Sequence, residues 1–170
     1  MTRPPFLRHL SDLPARREVY PGEDEQMSEG TLLSRALGLT RLGVWHEHLP
    51  PGSRTSWPHA EEKEEELVFV LEGHPHAWID GELHRMSPGD CIAFVPGTGI
   101  AHTILNNSDA PVRLLCIGEK FADNRCHYAL KPEGFPGMPP EQRWPHPPAR
   151  PLGPHDGLPD AVRATNKLKS

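Results

Sequence analysis

Apolar residues along this chain come in short bursts rather than long periodic stretches. From Thr31 onward the bursts are TLLSRALG, LTRLGVWHEHL, ELVFVL, AWID, ELHRM, CIAFV, HTIL and VRLLCIGE. None sustains a helical period, and ELVFVL is apolar on alternate and intervening positions alike, which predicts a strand covered on both faces. The separators carry turn chemistry: Pro50-Pro51-Gly52, Glu72-Gly73, Ser87-Pro88-Gly89-Asp90, Pro96-Gly97 and Asn106-Asn107-Ser108-Asp109. Asp80-Gly81, between AWID and ELHRM, predicts a two-residue hairpin. Many short strands at this spacing predict an all-β sandwich or barrel over residues 31–130.

The two ends read differently. Residues 1–30 are polar and punctuated by proline and glycine, an N-terminal arm partly ordered against the core. Residues 131–170 form a Pro-rich C-terminal extension, too dense in proline to supply a further pair of core strands. Two readings stay open for it. It is a disordered tail, or it wraps the barrel or a second subunit, with Phe135, Trp144 and Leu152 as anchors. The closing DAVRATNKLKS suits a short helix.

Composition narrows the function classes. The 170 residues carry 21 prolines, only 36% hydrophobic residues and a formal net charge of −5. One domain with extensions fits this length. Without a basic stripe, nucleic acid is not an expected partner. No apolar run is long enough to cross a bilayer, and MTRPPFLRHL lacks the apolar core of a cleavable signal. Cys91, Cys116 and Cys126 make no Cys-x-x-Cys pair, which fits reduced thiols and a cytoplasmic setting. Cys91 and Cys116 read as packing residues.

The chemistry gathers around WPHAEEKEEELVFVLEG, residues 57–73. In an extended segment His59 and Glu61 share one face. Glu66 opens the next strand on the face of Val68 and Val70, and His102 heads the strand HTIL after a Gly-rich turn. Two imidazoles and carboxylates on a rigid β scaffold make a cage for a divalent metal ion: iron, manganese, zinc or nickel. Glu62, Glu64 and Glu65 read as a solvated loop with Lys63.

These residues resemble the cupin family. Its first motif is matched by Gly52, His59-Ala60-Glu61, Glu66 and Gly73, with one extra residue before His59. Its second motif is matched by Gly89, Pro96, Gly99, His102 and Asn106, with one extra residue before Pro96 and another before Gly99. The resemblance covers roughly residues 40–119. It implies a double-stranded β-helix, a jelly-roll-like barrel, with His59, Glu61, Glu66 and His102 as metal ligands. Glu61 stands where the family has a second histidine, and is expected to be a ligand, a base beside the metal, or solvent-facing. Relatives often pair through their sheets, so a homodimer is expected.

Other groups are weighed beside this cage. Trp57 and Trp78 flank it in sequence and are candidate aromatic walls for a small-molecule substrate, with core packing as the default. Arg54 is a candidate for an anionic substrate, with Arg41 and Arg113 as the remaining cations near the motif. His46 and His48 share a strand face without a third donor, and His74 and His76 sit at a turn. No serine elbow, phosphate loop or catalytic-cysteine setting occurs. The expected function is a metal-dependent isomerase on a small polar substrate such as a sugar phosphate, with Glu61 as a built-in base. A cupin dioxygenase, a non-catalytic binding module and a metal-free structural cupin are the alternatives.

Overall fold

A computed structural model describes residues 3–17, 19–21, 25 and 27–169, so parts of the N-terminal arm lie outside the described residues. The strands in chain order are β1 (Arg16–Arg17), β2 (Glu29–Leu32), β3 (Leu42–Leu49), β4 (His59–Glu61), β5 (Glu66–Glu72) and β6 (His76–Ile79). They continue with β7 (Glu82–Arg85), β8 (Cys91–Phe94), β9 (His102–Leu105), β10 (Val112–Glu119) and β11 (Cys126–Tyr128). Among the described residues there are also two α-helices, the single turn α1 (Leu33–Ala36) and the C-terminal α2 (Asp160–Lys169), and two short 3-10 turns. TLLSRALG is thus divided: Thr31 and Leu32 pair with His46 and Trp45 in the sheet, and LSRA then turns once as helix.

All strand pairs are antiparallel, in a six-stranded sheet ordered β1-β2-β3-β10-β5-β8 and a five-stranded sheet ordered β11-β4-β9-β6-β7. The predicted jelly-roll architecture is therefore observed. Asp80 (φ 46°) and Gly81 (φ 92°) close β6 onto β7, the two positive angles that a type I′ hairpin requires.

Period-two alternation grades the interior from apolar to polar. On β10, Leu114 stands beside Glu47 of β3 and Val70 of β5, Cys116 beside Trp45 and Val68, and Gly118 beside Gly43 and Glu66. Because alternate residues share a face, one stripe of each strand lines the lumen. Leu49, Val68, Val70, Val112 and Leu114 fill its closed end. Burying each such side chain contributes about 1.5–3 kcal/mol. Toward the other end the same stripes deliver Trp45, Glu47 and Glu66. Cys116 packs against this core, but Cys91, on edge strand β8, is exposed and is not the packing residue expected.

The Pro-rich extension wraps its own barrel. Trp144 is buried and its N–H donates to the Cys126 carbonyl (2.9 Å). Farther along, the Gly153 and His155 N–H groups donate to the carbonyls of Asp80 (2.7 Å) and Gly81 (3.1 Å). Gly99 lies under Pro148, whose carbonyl would stand 2.8 Å from any Cβ there. A side chain at that position would lift the extension off. Leu152, 44% exposed, is no anchor. Phe135 and Trp144 are satisfied within the chain, which removes the reason to assign them to a second subunit.

Candidate metal centre and its cavity

His59 and His102 are direct register partners on β4 and β9, and their rings lie 4.9 Å apart. The His59 Nδ1–H donates to the Trp57 carbonyl (2.9 Å) and the His102 Nδ1–H to the Ile100 carbonyl (3.3 Å). These bonds fix both tautomers and leave each Nε2 lone pair pointing inward. Glu66 arrives from the opposite sheet. Its Oε2 is 3.4 Å from His102 Nε2 and 3.9 Å from His59 Nε2. Donor atoms of His59, Glu66 and His102 all lie within 4.8 Å of one another. Donors about 2.1 Å from a shared tetrahedral ion stand about 3.4 Å apart, so this set fits a divalent metal with only small rotations.

The electrostatics agree. Burial pushes the Glu66 carboxyl up, but when the rings take a second proton the hydrogen bond from His102 and the charges of His102 and His59 outweigh it, leaving the group below its ordinary value. Glu66 is an ionised carboxylate at neutral pH, and a cation answers it.

Glu61 stands beside this trio. Its Oε1 is 3.5 Å from His59 Nε2, while its Oε2 accepts from Asn124 Nδ2 (2.5 Å) and from the Cys126 thiol (3.0 Å). It is not part of the mutually close donor group. That neighbourhood pushes the Cys126 thiol far up, through burial first and then the Glu61 charge.

A cavity of about 300 Å³ opens onto His59 and Glu66, and its other walls include Trp45, Glu47, Ser56, Glu64 and Lys120. His102, 2% exposed, supports the centre from below. The aromatic wall is Trp45. Trp57 instead stacks on Tyr20 (centroids 4.1 Å) within a cluster that includes Tyr128 and Phe135. Trp78 is fully buried and its Nε1–H donates to the His155 carbonyl (2.9 Å). Neither lines the cavity. Arg54 is also elsewhere: buried, it forks onto Glu25 (2.8 and 2.5 Å) and donates to the Gly157 carbonyl (2.7 Å), tying arm to extension.

The acidic loop is not uniformly solvated. Glu62 accepts two bonds from Arg125 (2.5 and 2.6 Å), and Lys63 pairs with Asp123. Glu64 turns into the cavity, with Oε1 accepting from the Phe121 N–H (2.5 Å). Burial raises its carboxyl; the Phe121 bond opposes this, and Glu61, Glu119 and Glu66 add repulsion. The alternation of WHEH, which puts Trp45 and Glu47 on the face opposite His46 and His48, is the signal in the sequence for these two cavity residues.

Comparison with known proteins follows this geometry. Residues 45–118 match the family model of the cupin domain. The chain is similar to the crystal structure of a sugar phosphate isomerase of a cupin superfamily from Silicibacter pomeroyi: 32% identity over 71% of this chain and 80% of that one, TM-score 0.67. The chain belongs to the cupin superfamily. This cupin also shares its fold with a protein of Acidithiobacillus ferrooxidans (23% identity, 73% and 81% of the two chains, TM-score 0.67). The polyketide cyclase RemF of Streptomyces resistomycificus is similar in fold too (22%, 70% and 79%, TM-score 0.56). No curated protein matches the chain.

Proposed function

We propose that this cupin is a metal-dependent isomerase acting on a small polyhydroxylated carbonyl substrate such as a sugar phosphate. The observation that carries the reading is the opening of one cavity onto both the His59/Glu66 donors and three further carboxylates, Glu47, Glu64 and Glu119. A divalent cation held by His59, Glu66 and His102 would polarise the carbonyl oxygen and the neighbouring hydroxyl. The chain's own groups do the rest. Glu47, on a rigid strand beside Trp45, takes the proton from the hydroxyl-bearing carbon and returns it to the former carbonyl carbon, while the hydroxyl proton passes to the former carbonyl oxygen. No electrons leave the substrate, so no oxidant is needed. The Thr55 and Ser56 hydroxyls at the cavity wall suit a polyol, and Trp45 supplies an apolar face. Glu61, held by Asn124 and Cys126, stands beside the centre with Oε1 3.5 Å from His59 Nε2. The likeness to the Silicibacter isomerase supports the reaction class.

Two histidines and one carboxylate are also the donor set of iron(II) oxygenases, which favours a dioxygenase as the second reading. One experiment separates them. Metal-loaded protein is incubated in deuterium oxide with aldose and ketose sugars and their phosphates, while dissolved oxygen is monitored. Isomerisation by proton transfer places deuterium on substrate carbon without oxygen uptake. Oxygen consumption, or no exchange with any sugar, overturns the proposal.

A further inference from the structure

The carboxylates that suit the metal cavity to a polyol make it hostile to a phosphate. Glu47, Glu64, Glu66 and Glu119 line it, and an anion among them meets repulsion strengthened by burial. A phosphorylated substrate must therefore keep its phosphate at the mouth. A second cavity of about 490 Å³ begins there, sharing Glu119 and Lys120 with the first and adding Arg41, Thr40 and Phe121.

We propose that Arg41 and Lys120 form the phosphate subsite of this cupin, so that a sugar phosphate lies with its carbonyl end at the metal centre and its phosphate outside. The proposal rests on the isomerase reading. The two cations are held side by side, because the Lys120 N–H donates to the Arg41 carbonyl (3.1 Å) where β10 ends beside the start of β3. The Lys120 stem lies across Gly43, its Cγ 3.8 Å from where a Cβ would be, at the boundary of the two cavities. Among the described residues neither side chain has an ion-pair or hydrogen-bond partner. Arg54, Arg113, Arg125 and Arg150 by contrast are each spent on a carboxylate. A guanidinium fork and an ammonium point charge together match a phosphate's oxygens. Exposed Leu42 and Phe121 flank the pair, and both cations are themselves open to an incoming anion. A third cavity also holds two arginines, Arg16 and Arg35, but it shares only Leu32 and Trp45 with the metal cavity and no cation.

The test titrates inorganic phosphate into metal-loaded protein by calorimetry, and measures KM for a phosphorylated sugar and for the same sugar without its phosphate. Arg41→Ala and Lys120→Ala are each expected to weaken phosphate binding about tenfold and to lower the preference for the phosphorylated sugar by a similar factor. Arg35→Ala is expected to change neither. If phosphate affinity is lost in His102→Ala but kept in Arg41→Ala and Lys120→Ala, phosphate sits on the metal and the subsite is overturned. Equal effects of Arg35→Ala overturn it too. If no sugar is turned over but phosphate binding still depends on Arg41 and Lys120, the isomerase reading falls and the anion subsite stands.

Discussion

The imidazole of His102 lies flat on the ring of Phe94, with centroids 3.4 Å apart and planes within 4°. Phe94 is also the register partner of Glu66 across β8 and β5. One buried aromatic therefore backs two of the three metal donors from adjacent positions. Removing it costs packing and also orientation. Phe94→Ala is expected to lose about 3–5 kcal/mol of stability. Phe94→Leu keeps most of the volume but not the flat support, and is expected to weaken metal binding about 10–100-fold. Metal titration by calorimetry, beside a thermal melt, reads both quantities. Wild-type affinity in both variants would remove Phe94 from any role in holding the centre.

The donor group itself makes a sharper comparison. His59→Ala, Glu66→Gln and His102→Ala each remove one of three converging donors, and each is expected to abolish tight metal uptake. Glu61→Gln removes a carboxylate outside that group and is expected to weaken uptake far less. Metal at 100 times its dissociation constant stabilises the native state by about 2.7 kcal/mol, so chelator treatment is expected to lower the Tm of wild type and Glu61→Gln, but not of the other three. Equal loss in Glu61→Gln and Glu66→Gln would make Glu61 a full ligand.

Arg54 serves the fold. Its guanidinium, 4% exposed, meets Glu25 of the arm and the Gly157 carbonyl of the extension. Glu25→Ala leaves that charge buried with one carbonyl, and removing one partner of a buried pair costs about 3–5 kcal/mol. The expected outcome is a lowered urea midpoint with an unchanged KM. A raised KM at unchanged stability would return Arg54 to the substrate.

Much of this architecture was legible because period two and turn chemistry are local. The Asp80-Gly81 hairpin, the inward stripe of Glu66, Val68 and Val70, and the pairing of His59 with His102 follow from spacing and from the motif resemblance. Trp45 and Glu47 were obscured by their neighbours. In His46-Glu47-His48 the histidines draw attention to the outer face, and only the register of β3 against β10 shows which face is inner. Arg54, Trp57 and Trp78 lie away from the metal cavity for another reason. Each stands near the motif in sequence, but its partners come from distant segments: Glu25 and Tyr20 in the arm, Gly157 and His155 in the extension. Spacing carries no information about an extension that folds back across the barrel. Glu64 is hidden in a charge run, and it is the Phe121 N–H that holds it at the cavity while Glu65 stays exposed.

The Glu47 assignment is open to direct test. Glu47→Gln keeps the shape and removes the proton acceptor, and is expected to lower kcat by about 10²–10⁴-fold while metal content stays whole. Glu64→Gln and Glu61→Gln are expected to fall short of that loss. Solvent-deuterium incorporation must fall in parallel with kcat in Glu47→Gln. Full exchange in that variant would move the proton-carrying role to another carboxylate.

Three half-buried histidines outside the centre set the response to mild acid. Burial lowers the pKa of His127; burial and then Arg113 lower that of His46; burial and then Arg85 lower that of His76. In the unfolded chain each titrates near 6.5. Between the depressed folded values and about 6.5, the unfolded state holds more protons than the folded one, so stability rises with pH. The contribution is full above that range and lost as pH falls through it. Glu64, whose carboxyl is raised, has the opposite sign, since its folded form holds the extra proton. Chelator-treated Glu64→Gln is thus the cleaner background. Its urea midpoint is expected to be higher at pH 7.5 than at pH 5.5. Adding His46→Gln, His76→Gln and His127→Gln together is expected to flatten that difference. A slope as steep in the combined variant would place the acid response in other groups.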